Sequence, residues 1–184
     1  MKKLWLFIGL LLILSCKSSS DKVEDKLYTC FTNALSQQEA QKLTTIKKAY
    51  ENYLIEQKVL ESTDAKSYWN FYKKIAESGA FEFANDFNFS EKMRFLARES
   101  LEANQAQLDC YNLIFQSELY LKSKQHQLQE EIQSLRKHRV TPKMIAQTTI
   151  EILSVDDFEF EYNRLMTLLF IETFNENNKH ASKK

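Results

Sequence analysis

The chain predicts an all-α protein: an irregular bundle of about five to six helices, one of them long or bent. Three observations lead there. The 184 residues include only two glycines and one proline, so the tight hairpins and repeated β-turns built from those residues have almost no material. Apolar residues recur at three- and four-residue intervals through most of the chain, the spacing of one helix face. Charged residues make up 27%, with 25 basic against 25 acidic, and both signs are well mixed. The same facts exclude several functions. Glycine-rich phosphate loops are missing, and no basic excess exists for a nucleic-acid partner. The length points to one domain.

Taken in order, Met1, Lys2 and Lys3 form a short basic start, the run Leu4 to Leu14 is wholly apolar or glycine, and Ser15 and Cys16 follow. This is the layout of an export signal. As a helix the run would measure only about 16 Å, roughly half of a bilayer's hydrocarbon core, so it is too short for a stable span. Ile13, Leu14, Ser15 and Cys16 resemble the lipobox of bacterial lipoproteins: a branched apolar residue, a tolerant position, a small residue, then cysteine. That resemblance implies a diacylglyceryl thioether on Cys16, cleavage before it, and acylation of the new amino terminus. Residues 1–15 are then a signal peptide and residues 16–22 a small, polar tether. By the same resemblance Lys17, where aspartate would favour inner-membrane retention, points to the outer membrane. Which face is exposed stays open.

The helical domain is expected over residues 23–174. Val23, Leu27, Cys30, Phe31 and Ala34 suggest a first helix. Ser36 and Glu39 have the spacing of a capping box, opening a stripe from Leu43 through Ile46, Tyr50 and Leu54 to about Leu60. Asp64 is placed to cap a third helix carrying Tyr68, Trp69, Phe71, Tyr72 and Ile75, with Gly79 as its left-handed stop. Ser90 is read as the cap of the longest periodic segment. There Met93, Leu101, Leu108 and Phe115 hold one stripe, and Ile114, Leu121, Leu128 and Leu135 hold a seven-residue repeat. A straight helix to His138 would run about 70 Å, so the segment is expected to project or to bend near Ser117 to Lys124. Thr141 and Pro142 begin another helix, Asp156 caps the last, and residues 175–184 read as a polar tail. Phe81 to Phe89 and Phe158 to Tyr162 also alternate like strands, a weaker pattern than the helical one.

Candidate sites are few. Cys30 and Cys110 are the thiols that remain beside Cys16. An exported chain meets an oxidising compartment, and the sequence leaves open whether the pair is bonded or buried as two small apolar residues. His126, His138 and His180 form no metal-ligand spacing, and no cofactor, metal or catalytic constellation is expected. Asp156, Asp157, Glu159 and Glu161 read as acids in a helix's first turn, where the dipole favours them. The Asn88, Phe89, Ser90 triplet matches a glycosylation acceptor, and Ser90 is better used as a cap. Arg136, Lys137 and Arg139 form a basic cluster, read as a helix C-terminus or as a contact for anionic headgroups. Tyr68, Trp69, Tyr72, Phe81 and Phe83 read as core or as the lining of a ligand or partner groove.

The expected role is a membrane-anchored cell-envelope lipoprotein without chemistry of its own. It would hold a helical surface for another envelope protein, with the membrane engaged through Cys16 and no nucleic acid. The alternative is an envelope module binding a ligand in the aromatic region from Trp69 to Phe89.

Overall fold

The computed structural model describes residues 22–79, 83, 86–96, 101–135, 137 and 140–181. Among the described residues there are nine α-helices, two 3-10 turns and no strand. The fold class is therefore all-α, and the count exceeds the expected five to six. The extra helices come from breaks in segments whose apolar periodicity runs on without interruption.

Helix α1 spans Val23–Asn33 and buries Val23, Leu27 and Cys30 on one face. Helix α2, Gln37–Glu56, starts at the anticipated capping box: the Ser36 side chain accepts from the Glu39 amide, and the Glu39 carboxylate accepts from the Ser36 amide. It ends four residues short of Leu60. Lys58 turns into the left-handed region at φ 58°, and the Val59 and Leu60 amides both donate back to the Leu54 carbonyl. Helix α3, Ala65–Ser78, is capped by Asp64, which accepts from the Ser67 amide at 2.8 Å. Gly79 stops it at φ 83°, a conformation that costs a residue with a Cβ about 1 kcal/mol or more.

Ser90 does not act as a cap. Left-handed Asn88 precedes the short helix α4, Phe89–Lys92, and the Ser90 amide instead donates to Glu172 at 3.1 Å. A 3-10 turn at Arg94–Leu96 follows. The long periodic segment divides into α5 (Leu101–Phe115), α6 (Glu118–Leu121) and α7 (Lys124–Leu135). Two serines make the breaks. Ser117 Oγ donates to the Ile114 carbonyl at 2.6 Å and accepts from the Tyr120 amide at 3.2 Å. Ser123 Oγ repeats the pattern with the Tyr120 carbonyl and the His126 amide. Each hydroxyl thus ties a carbonyl near the end of one helix to an orphaned amide at the start of the next. The expected bend is there, and it destroys the seven-residue stripe. Ile114 packs beside a small core cluster, Leu121 is 51% exposed, and Leu128 packs on the main core.

Helix α8, Pro142–Ile152, has Thr141 as cap and Pro142 at its first position. Ser154, rather than Asp156, opens the next element, a 3-10 turn at Val155–Glu159 in which Ser154 and Asp157 hold each other. Helix α9, Glu161–Ala181, carries on through most of the stretch read as a polar tail.

Helix α3 lies at the centre, packed most extensively on α8 and on the Val155–Glu159 turn, while α7 covers α8 and α1 bridges α9 and α5. The main core includes Leu43, Tyr50, Leu54, Tyr68, Phe71, Phe89, Phe158 and Leu168. Full burial of each such side chain contributes about 1.5–3 kcal/mol. Val23, Leu27 and Tyr120 form a second, smaller cluster between α1 and α6.

Candidate functional site

A cleft of about 400 Å³ opens into the fold between α7, α8 and α9. Its floor is buried: Leu27, Tyr72, Thr149, Leu153, Phe158 and Thr167. Its rim carries Gln129, Gln133 and Met166, all exposed. Gln125, Gln129 and Gln133 recur every four residues, which sets their amides along one side of α7. Ile132, Ile145 and Phe170 add apolar wall.

Polar groups at the floor are internally satisfied. Gln125 Nε2 donates to Asn163 Oδ1 at 2.8 Å and to Glu24 Oε1 at 3.3 Å. Asn163 Nδ2 donates to the Asp157 carbonyl, and Thr167 Oγ1 to the Asn163 carbonyl. Tyr120 donates its hydroxyl to Gln129 Oε1. Burial pushes the Tyr72 hydroxyl up to about 12, against the opposing hydrogen bond with Thr167. Burial likewise pushes Tyr162 up to about 12, helped by Tyr111, Tyr120 and Glu24. Both phenols stay protonated and neutral near pH 7.

The described members of the aromatic region, read as core or as groove, pack mainly against the core. Tyr68 is fully buried and donates to Glu51 at 2.5 Å. Trp69 is half-buried, its Nε1 donating to the Leu153 carbonyl at 3.3 Å. Phe83 is half-buried against Tyr53. Among the described residues of that group, only Tyr72 reaches the cleft. Phe81 lies outside the described residues, as do Cys16, Arg136 and Arg139. Lys137 is exposed two residues beyond the end of α7, where a cation faces the negative end of the helix dipole.

Cys30 and Cys110 are bonded, with their Cα atoms 5.8 Å apart. The bridge ties α1 to α5. Helices α5 and α6 expose Leu108, Leu113, Phe115, Leu119 and Leu121, with Leu113 at 75%.

Besides Glu24, two buried carboxylates were not anticipated from the sequence. Glu51 meets Tyr68 and, at 3.7 Å, Lys47, which also pairs with Glu161. Glu172 accepts from the Tyr50 hydroxyl at 3.0 Å and from the Ser90 amide. The available signal was register: Glu172 falls four residues after Leu168 on the inward face of α9. Neither carboxylate lines the cleft, so these pairs join helices rather than present an acid or base to a substrate. Among the described residues no group of three histidine, cysteine or acidic side chains comes together to hold a metal. No helix among them is long and apolar enough to cross a membrane. Compared with protein-family models, curated proteins and solved structures, the chain found no match in any of the three.

Proposed function

We propose that this chain is a bacterial cell-envelope lipoprotein, anchored through Cys16 in the outer rather than the inner membrane, with a non-catalytic role in holding another envelope protein. The anchoring reading rests on one observation: a basic start, an apolar run too short to span, and the Ile13 to Cys16 pattern occur together. Each buried methylene of an acyl chain contributes about 0.8 kcal/mol, and two or more chains make the attachment stable. The interaction role is supported by the apolar side chains that α5 and α6 leave exposed, Leu113 most of all. Leu108 and Phe115, seven residues apart, share one face of α5, and exposed apolar surface on a helix face is where contact sites form.

The test is direct. Cys16→Ser should shift the protein out of the membrane fraction or leave its leader uncut, and mass spectrometry of the wild-type amino-terminal peptide should show an acylated Cys16. An unmodified cysteine at that position on a processed protein would refute the anchor. A photo-crosslinking residue placed at Leu113 should yield one discrete adduct in cells, and a featureless result counts against the interaction role.

A second reading, an envelope module that binds a ligand, is favoured by the cleft between α7, α8 and α9 in place of the buried aromatic region.

A further inference from the structure

The cleft has a chemical character that its size alone does not convey. Among the described residues that line it there is no lysine, arginine, histidine, aspartate or glutamate, in a chain that is 27% charged. Its floor is deeply buried while its rim is open, so a molecule entering would exchange water for apolar wall on most sides. A volume of about 400 Å³ falls within the common range of small-molecule sites, roughly 300–1,000 Å³. Gln125, Asn163 and Thr167 are satisfied by one another and by Glu24. The Gln129 amide nitrogen, the Gln133 amide and the half-buried Tyr162 hydroxyl have no hydrogen-bond partner among the described residues. Those three groups are neutral, and between them they can donate and accept. An ion entering would lose its hydration and meet no countercharge among the described residues of the lining.

We propose that this cleft binds an uncharged ligand with an apolar body and hydroxyl or amide groups along one edge, the edge facing Gln129, Gln133 and Tyr162. The inference rests on the ligand-binding reading and adds the class of ligand. It does not depend on Cys16. The apolar body lies against Ile132, Ile145 and Phe170, and the glutamine row orients the polar edge toward the rim.

The matched probes are benzophenone, which is neutral, and 4-benzoylbenzoate, the same scaffold bearing a carboxylate. Full-length protein is irradiated with each at equal free concentration, and adducts are mapped by peptide mass spectrometry. Benzophenone should label the peptides carrying Leu128 to Ile132 and Leu165 to Phe170 saturably. It should exceed 4-benzoylbenzoate there by about tenfold or more, the equivalent of about 1.4 kcal/mol or greater. Ile145→Trp, which fills the cleft from its half-exposed wall, should remove that labelling. Leu113→Ser, on the separate α5 surface, should leave it unchanged. Met166→Lys, which sets a cation at the rim, should raise labelling of the Leu128 to Ile132 peptide by 4-benzoylbenzoate. Saturable labelling at equal levels by both probes would overturn the uncharged-ligand inference and keep the ligand-binding reading. Labelling that never saturates, or that ignores Ile145→Trp, would overturn both.

Discussion

Reducing the Cys30–Cys110 bond in otherwise unchanged protein removes the one covalent tie between α1 and α5, and its cost can be worked out from the chain. The bond spans 80 residues of sequence, including α2, α3 and α4. In the chain-entropy relation, closing a loop of that length lowers the entropy of the unfolded ensemble enough to stabilise the fold by about 4.5 kcal/mol. Native strain and residual structure in the unfolded chain reduce such figures in practice, so a loss of about 2–4 kcal/mol is expected. Comparing oxidised with reduced wild type keeps both sulfurs in place. The packing of Cys30, which is 3% exposed, is then not confounded with the bond, as it would be in Cys30→Ala. Urea unfolding followed by far-UV circular dichroism reads the difference. With a slope of about 2 kcal/mol per molar urea, typical of a domain this size, the midpoint should fall by about 1–2 M. Limited proteolysis of the reduced protein should cut first within α5, the helix released from its covalent tie. A midpoint change of no more than about 0.2 M, with two free thiols verified by mass, would refute the argument.

Asp157 should carry a pH signature. Burial pushes its carboxyl up, but hydrogen bonds from Lys124 and Ser154 outweigh that and hold it below its ordinary range. Its folded-state value is therefore below the unfolded one of about 3.9. Its stabilising contribution is present above that pH and is lost as pH falls through the folded value. The stability gap between wild type and Asp157→Asn should be constant near neutrality and close below pH about 4; a gap that widens on acidification would contradict it. At Gly79 a Cβ would meet only Lys143 Cδ at 3.6 Å, ordinary contact, so the penalty of Gly79→Ala comes from φ +83° alone. Thermal unfolding should show a loss of about 1 kcal/mol, and an unchanged or raised midpoint would show that α3 does not need its left-handed stop.

Local chemistry was readable wherever one side chain acts on its own backbone neighbours. The Ser36 and Glu39 box, the Asp64 cap, the Gly79 stop and the Thr141 and Pro142 start all occur as the spacing implied, because each is completed within a few residues. The same logic failed at Ser90 and Asp156. Ser90 gives its amide to Glu172, 82 positions away, and Asp156 loses its place to Ser154 and Asp157. The bend near Ser117 to Lys124 was readable from the length of the segment, whereas the two separate breaks there were not, since a serine that closes one helix and opens the next is completed by backbone groups that the apolar rhythm does not mark.

The sequence by itself determined the helical class, the capped ends and the amino-terminal pattern, since these depend on residues close together along the chain. Tertiary structure alone decided that Tyr68 is fully buried and Trp69 packs against the core, that Cys30 meets Cys110, and that Gln129 and Gln133 of α7 stand over a cleft with no charged side chain among the described residues of its lining. Burial and cavity shape depend on which helix faces are brought together. Helix periodicity marks the face that turns inward and says nothing of what stands opposite it.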